Sequence, residues 1–415
     1  VDTNTVMTYT GSKPGDYGSF KVTTDGKWIY ELNNAVVQNF AADKKVNETF
    51  TVTATDDQGI AVTQDVVITI KGSNDLPTVT GANAVAVSET NSPVQLDGQF
   101  SVTDIDAGES GFQTQTLSGL YGSLSVVSAG KWTYTAKEAF DYLSVNDKLV
   151  DSLSLKTIDG TTQALAVTIQ GTNDNPTVTA ALTSKTNEGD AAYPLDLLQG
   201  AKDVDAGDLA GLSVVSGSLT YTDNGVSSVN APLGFNLKGN NLSIDPTDPS
   251  FDVLAAGVTK TIDLTYNIRD VFGGVVAQKA TVIITGTNDA PRVVDITPAL
   301  ADRTITENPN VKNDTSFHTL NGTFKVTDPD ASSQQIYKIT AASSNSTNLG
   351  SFEFSQPDPV SGMANWMYKV QDMALDKMAA GDKSTVSNKF IVSDGISTTE
   401  ASIDVILLGA DTTSL

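Results

Sequence analysis

The sequence predicts an all-β fold, a tandem array of four β-sandwich domains of about 100 residues each. Three observations carry that expectation. A hexapeptide linker of the form Gly-Ser/Thr-Asn-Asp-x-Pro occurs three times, at Gly72–Pro77, Gly171–Pro176 and Gly286–Pro291, and its Asn-Asp pairs start 99 and 115 residues apart. That interval is the size of one compact domain, not of a short solenoid repeat. Short β-branched or alternating runs bounded by turn residues follow one another about every ten residues, the mark of a sandwich. Finally, a closing strand precedes each linker, as Val66-Val-Ile-Thr-Ile70, Leu165-Ala-Val-Thr-Ile169 and Ala280-Thr-Val-Ile-Ile284. It recurs as Ile403-Asp-Val-Ile-Leu407, so a fourth domain ends near Gly409. The expected boundaries are residues 1–74, 75–174, 175–289 and 290–415, with the first domain beginning partway through.

Taken in order, the first domain runs from Phe20-Lys-Val22 through an Asp25-Gly26 turn to Trp28-Ile-Tyr30, a hairpin signal between two alternating runs. Phe50-Thr-Val-Thr-Ala-Thr55 alternates with period two, as a strand does. The hairpin recurs at Gly130-Lys-Trp-Thr-Tyr134 and Asn365-Trp-Met-Tyr368, while Asn240-Asn-Leu-Ser-Ile244 replaces it in the third domain. A Trp set between strand residues at a repeated position belongs to a core rather than to a sugar-stacking surface, so Trp28, Trp132 and Trp366 are expected inside. Short apolar connections at Phe40–Asp43, Leu143–Asp147, Leu254–Gly257 and Met378–Asp382 predict one turn of helix over the end of each sandwich. Extra sequence at Thr220–Pro249 and Ser343–Asn365 gives the third and fourth domains room for additional loops.

Composition narrows the function. With 49 acidic against 25 basic residues the net charge is −24, which disfavours nucleic acid and anionic membrane surfaces and suits divalent cations. There is no cysteine, so neither disulfides nor thiolate zinc sites exist, and the single histidine, His318, all but excludes zinc. No apolar run approaches the roughly 20 residues of a membrane span, and Val1-Asp-Thr-Asn lacks the regions of a secretion signal. The chain reads as a fragment of something longer. Catalysis is not expected, because the recurrent acid pairs fall at every joint and no serine sits in a nucleophile motif.

Those acids keep register with the linker. Glu89, Glu188 and Glu307 stand near the start of the complete domains. An Asp-x-Asp follows at Asp104/Asp106, Asp203/Asp205 and Asp328/Asp330; the spacing is 15, 15 and 21, so the last domain carries an insertion there. A later aspartate ends a strand in every domain, at Asp56, Asp159, Asp270 and Asp394. Two carboxylates of an Asp-x-Asp converge on one cation, and calcium accepts six to eight carboxylate, amide and carbonyl oxygens. Carboxylates, amides and main-chain carbonyls are what these segments offer, so Ca²⁺ is the expected cofactor.

At these residues the chain resembles known families. "GSNDLP", "GTNDNP" and "GTNDAP", with "YGSFKVTTDGKWIYEL", "FTVTATDDQG" and "YGSLSVVSAGKWTYT", look like the VCBS repeats and immunoglobulin-like extender modules of large bacterial RTX-type adhesins exported by type I secretion. The acid pattern is similar to that of cadherins, although the linker's leading aspartate is Gly or Thr here. The resemblance implies immunoglobulin- or cadherin-like sandwiches in an elongated rod, with calcium bound at the joints.

Carried over residue by residue, the cadherin pattern implies three ligand sets. Asp43, Asn74, Asp75, Asp104, Asp106 and Asp159 would serve the first joint, which has no early glutamate. Glu89, Asp147, Asn173, Asp174, the Asn175 carbonyl, Asp203, Asp205 and Asp270 would serve the second. Glu188, Asn288, Asp289, Asp328, Asp330 and Asp394 would serve the third, where Gly257 stands at the expected acid and fewer ions are anticipated. Val1-Asp2 would be the tail of a severed Asp-x-Asp.

The implied function is a calcium-rigidified extender of a bacterial surface adhesin, extracellular and monomeric, in cell adhesion or biofilm formation. Its partners would be calcium, neighbouring domains of the same long chain, and a host or biofilm surface ligand. The alternative is that the third or fourth domain is itself an adhesive module for glycan or protein.

Overall fold

A computed structural model describes residues 5–330, 336–341 and 349–411. The chain divides into two compact units, one of residues up to Asn175 together with Asp203–Gly211, the other of Pro176–Lys202 and residues from Leu212 onward. Each unit holds two of the expected sandwiches. The Val1-Asp2 segment lies outside the described residues.

Within the first unit, the second sandwich shows the common plan. One sheet pairs Gln115–Ser118, Gly122–Val126, Lys131–Ala136 and Gln95–Gln99 in that order, all antiparallel. The facing sheet pairs Lys148–Lys156 with Thr162–Gln170, and Ala84–Ser88 joins the outer edge of the latter in parallel. Alternation sorts the side chains: along Leu149–Leu155 every second residue points inward, and Leu124, Trp132, Tyr134, Leu155, Leu165 and Val167 fill the space between the sheets. The third and fourth sandwiches repeat the parallel edge, through Leu182–Asn187 beside Val275–Thr285 and Thr304–Thr306 beside Thr398–Leu408. Their cores are separate, one around Leu242, Ile262 and Tyr266, the other around Trp366, Phe324 and Phe390.

The first sandwich is thinner. Its sheets are Thr8–Thr10, Lys45–Thr55 and Ala61–Lys71 on one side, and Lys13–Pro14, Gly18–Val22 and Trp28–Leu32 on the other. Phe20 and Phe50 stack at 4.8 Å between them and, with Ile70, make most of its core. The expectation for tryptophan therefore holds twice and fails once. Trp132 and Trp366 are 3% and 1% exposed, whereas Trp28 is 48% exposed because no strand lies against the outer edge of Trp28–Leu32 among the described residues.

A buried carboxylate pins the same turn in the first two sandwiches. Asp151, 2% exposed, accepts hydrogen bonds from the Leu120 and Tyr121 amides at 2.6 and 3.1 Å and from the Tyr134 hydroxyl at 2.6 Å. Burial, then that carboxylate, pushes the Tyr134 hydroxyl well above the usual phenol range. Glu48 does the same work for the Tyr17 amide and the Tyr30 hydroxyl. The paired Tyr-Gly-Ser and Trp-x-Tyr motifs are thus two halves of one lock.

The connections expected as helical turns are hydrogen-bonded turns, closed by Leu143 N–H to Phe140 and Leu254 N–H to Phe251. A one-turn helix, Asn34–Val37, precedes Phe40, and a 3-10 turn, Asp372–Ala374, precedes Met378. The extra sequence at 220–249 forms short strands at Thr220–Asp223, Val226–Ser228, Phe235–Lys238 and Asn241–Ile244. That at 343–365 falls partly outside the described residues; from 349 on it supplies Ser351–Phe354 and the start of Met363–Gln371. The insertion between Glu307 and Asp328 is a loop over 308–316, clipped to Asp372 and Asp376 through the Asn308 and Asn313 amides.

Candidate metal centres

The linker's first residue sets the geometry. A Cβ built on Gly72, Gly171 or Gly286 would lie 2.1 to 2.7 Å from the backbone carbonyls of Phe40-Ala41, Leu143-Ser144 or Leu254-Ala255. Only glycine lets the linker press so closely against that turn. The following residue then meets the early glutamate: the Thr172 amide donates to Glu89 Oε1 at 2.9 Å and the Thr287 amide to Glu188 Oε2 at 2.9 Å.

The Asn-Asp pair continues the scaffold three times over. The amide of each Asn donates to the next residue's carbonyl, at 3.0 Å for Asn74, 2.9 Å for Asn173 and 2.7 Å for Asn288. The backbone amides of Asp75, Asp174 and Asp289 donate to Oδ2 of Asp106, Asp205 and Asp330 at 2.8, 2.8 and 3.2 Å. Inside each Asp-x-Asp, the second residue's amide donates to the first one's Oδ1, at 2.9, 3.0 and 3.1 Å. One oxygen of each key carboxylate is thereby fixed by backbone, which aims the other into the joint.

Oxygens left over from these bonds, and those of Asp174 and Asp289, are buried among like charges. Asp104 Oδ2, Asp106 Oδ1, Asp174 Oδ2, Asp203 Oδ2, Asp205 Oδ1, Glu188 Oε1 and Asp289 Oδ2 are all buried with no hydrogen-bond donor. An ionised oxygen in that position is costly unless a cation faces it. Carboxylate oxygens of Asp104, Asp106 and Glu109 lie within 4.8 Å of one another, as do those of Asp203, Asp205 and Asp208, and those of Glu188, Asp252 and Asp289. Such all-oxygen groups fit calcium rather than zinc.

The field shows in the ionisation. Asp205 is pushed up to about 6, mainly by burial and further by Asp174, Asp203 and Asp208, while the hydrogen bond from the Asp174 amide opposes the shift. Burial, then Glu89 and Asp141, raises Asp174; burial, then Asp289, Asp252 and Asp330, raises Glu188 against the Thr287 hydrogen bond. Asp289 and Asp330 are raised by burial first, with Asp252 acting on the former and Asp328, Asp289 and Asp394 on the latter. Glu109 is raised by burial, Asp106, Asp104, Asp159 and Asp43, in that order.

The hairpin-tip aspartates have a second task. Asp159 Oδ1 accepts from the Thr161 amide and Asp394 Oδ1 from the Ile396 and Ser397 amides, while their Oδ2 atoms accept from Asn74 and Asn288 at 3.4 and 2.9 Å. Burial raises both carboxyls, but hydrogen bonds hold them below the usual range, led by the Thr157 and Thr161 hydroxyls on Asp159 and by Asn288 on Asp394. Asp270 lies in the second compact unit, 3% exposed, and holds its own loop through the Phe272, Gly273 and Gly274 amides.

Three of the positions singled out in the sequence are turn or linker residues. Asp147 is exposed and reaches the linker through its backbone carbonyl, which accepts from the Gly171 amide at 2.9 Å. Asp141, two residues before Leu143, also acts on Asp174, after burial and Glu89, and its own Oδ1 is buried and lacks a donor. At the third linker, Asp252, two residues before Leu254, brings a carboxylate oxygen within 4.8 Å of those of Glu188 and Asp289. Gly257 is a turn residue at φ +78° whose amide donates to the Gly286 carbonyl. Asn175 is exposed beside the buried Pro176.

Glu109 and Asp208 were also missed, though the signal was present: each follows its Asp-x-Asp by Ala-Gly and then an acid. The fourth sandwich carries the glutamate scaffold as well. The Ala410 amide donates to Glu307 Oε2 at 2.7 Å, and Glu307 Oε1 and Asp376 Oδ1 are buried without donors.

No protein-family model matches the chain, and no curated protein matches it. Solved structures do. The protocadherin γB4 extracellular domain matches over 98% of this chain at 13% identity and a TM-score of 0.40, and the chain spans 62% of that structure's length. Protocadherin γB7 extracellular cadherin domains 1–4 match over 97% of this chain and 92% of theirs, at 16% identity and a TM-score of 0.40. Drosophila N-cadherin EC1–4 matches over 99% and 94%, at 15% identity and a TM-score of 0.30. Scores at this level say nothing of what this chain does.

Proposed function

We propose that the three linkers are the centres of calcium sites and that calcium converts a chain of hinged sandwiches into a stiff spacer, the extender of a bacterial surface adhesin. The observation that supports this most strongly is a linker scaffold that recurs three times, with a backbone amide on one oxygen of Asp106, Asp205 and Asp330, and the other oxygen of Asp106 and of Asp205 buried without a donor. Without cations, five or more carboxylates gathered at a joint repel one another; Ca²⁺ turns that repulsion into a shared coordination shell. The proline after each Asn-Asp restricts the linker already, so few hinge states remain to be lost on binding.

The ligand sets are Asp104, Asp106, Glu109, Asp75, Asn74 and Asp43 at the first joint. At the second they are Glu89, Asp141, Asn173, Asp174, Asp203, Asp205 and Asp208. Glu188, Asp252, Asn288, Asp289, Asp328 and Asp330 form the third. Extracellular modules of this type bind calcium at about 10⁻⁴ to 10⁻³ M, which matches calcium-rich surroundings outside the cell. Small-angle scattering of the full chain with calcium and with EGTA tests the proposal. A larger maximum dimension in calcium is expected, alongside bound calcium by equilibrium dialysis; the same dimension in both buffers would overturn it.

A further inference from the structure

The fourth sandwich carries a groove that the linkers do not use. Its sheet pairs Phe317–Thr327, Met363–Gln371 and Ser351–Phe354 in that order. Trp366 and Tyr368 are buried in the core, so alternation turns Asn365 and Met367 to the outer face. There they line a groove of about 450 Å³ with Asn321, Glu353 and Ser355. In the ladder Met367 stands opposite Asn321 on one side and Glu353 on the other. At a strand spacing of roughly 4.8 Å the three form one row, with the thioether in the middle and a polar group on each flank. Asn365 lies two residues back along the same strand, joined to Ser355 through its backbone amide and carbonyl.

The second sandwich shows the same row in another state. Trp132 faces Gly98 and Val126 as Trp366 faces Gly322 and Phe354, so Asp97, Thr133 and Ser125 occupy the matching positions. There the Thr133 hydroxyl donates to Asp97, and the row satisfies itself. Met367 has no donor to give, and among the described residues the side chains of Asn321, Asn365 and Glu353 make no hydrogen bond within the chain. The backbone at Met367 is paired on both edges and is committed to the ladder. What the groove offers a ligand is therefore two amides, a carboxylate and a hydroxyl around one apolar patch.

Each amide both donates and accepts, and a carboxylate accepts from two hydroxyls at once, which is the pattern that adjacent ring hydroxyls of a sugar present in reverse. The thioether is a soft apolar floor for the C–H face of such a ring. The volume falls within the range of roughly 300 to 1,000 Å³ that small-molecule sites occupy. Among the described residues no lysine or arginine lines the groove, and the Glu353 charge repels anions. We propose that this face of the fourth sandwich binds a neutral pyranose sugar, seated over Met367 with its hydroxyls on Asn321, Glu353 and Asn365. The inference does not depend on the calcium sites.

The test uses the full chain with methyl-labelled methionine, followed by nuclear magnetic resonance. It is titrated with the methyl pyranosides of glucose, galactose and mannose and, as an anion, with glucuronate. The chain has five methionines, and Met367 is the one in the groove. A saturable shift of the Met367 signal with at least one neutral glycoside is expected, while Met7, Met373 and Met378 stay in place. Glu353→Gln is expected to weaken that binding about tenfold, the effect of losing hydrogen bonds to a charged group, and to let glucuronate bind where the unaltered chain excludes it. Glu353 is exposed, so the variant keeps its fold, which circular dichroism verifies. No saturable shift at Met367, equal shifts at all the methionines, or unchanged affinity in Glu353→Gln would each overturn the proposal.

Discussion

Asp141 and Asp147 carry the residue-scale lesson. They flank Leu143, and the cadherin pattern implied the later one. Five residues separate them in sequence, but Asp147 is exposed while Asp141 Oδ1 is buried and acts on Asp174. Asp141→Asn is expected to weaken calcium binding at the second joint about tenfold, by removing one of its charges, whereas Asp147→Asn leaves it unchanged. Calorimetric titration of the two variants separates them. Glu109 and Asp208 were readable from Asp-x-Asp-Ala-Gly followed by an acid, because the turn after the second Asp brings a residue three positions on back to the first carboxylates.

At the scale of elements, the joint is a linker clamped under a turn. The contact that places Asn173 and Asp174 is the close approach of Gly171 to the Leu143 and Ser144 carbonyls. In Gly171→Ala the new methyl meets two backbone oxygens that belong to a hydrogen-bonded turn and do not yield as a side chain would. A loss of about 1 to 3 kcal/mol is expected, read as a lower midpoint in urea, together with weaker calcium binding. Unchanged stability would mean that the linker sits further from the turn. The strands themselves were legible, since alternation survives wherever one face is buried and the other is wet. The helical turns expected at the connections were not, because four-residue apolar runs do not distinguish a helix from successive tight turns.

For the whole molecule, the net charge of −24 is concentrated where it opposes itself. The sign of the pH effect follows from Asp205. Burial and neighbouring acids push its carboxyl up to about 6 from the ordinary 3.8, so its protonated form is favoured by the fold. Without metal, that contribution to stability is complete below pH of about 4 and is lost as the pH rises through about 6. With calcium the order reverses, because the ligand must be deprotonated: affinity is expected to fall as the pH drops through about 6. Thermal unfolding of the chain in EGTA and in calcium across that window shows opposite slopes if these acids face a shared cation. Parallel slopes would place the ion elsewhere.

The sequence by itself determined the all-β class, the repeat, the closing strands and the acids that keep register with Asn74, Asn173 and Asn288, because all of these are written in local spacing. Tertiary structure decided the rest. It buried Asp141 Oδ1 and gathered Asp252 with Glu188 and Asp289 while exposing Asp147, and it left Trp28 exposed where Trp132 and Trp366 are buried. The physical reason is the same in each case. Which carboxylate reaches a joint, and which indole is covered, depends on what a distant strand or turn packs against, and spacing along the chain does not encode that partner.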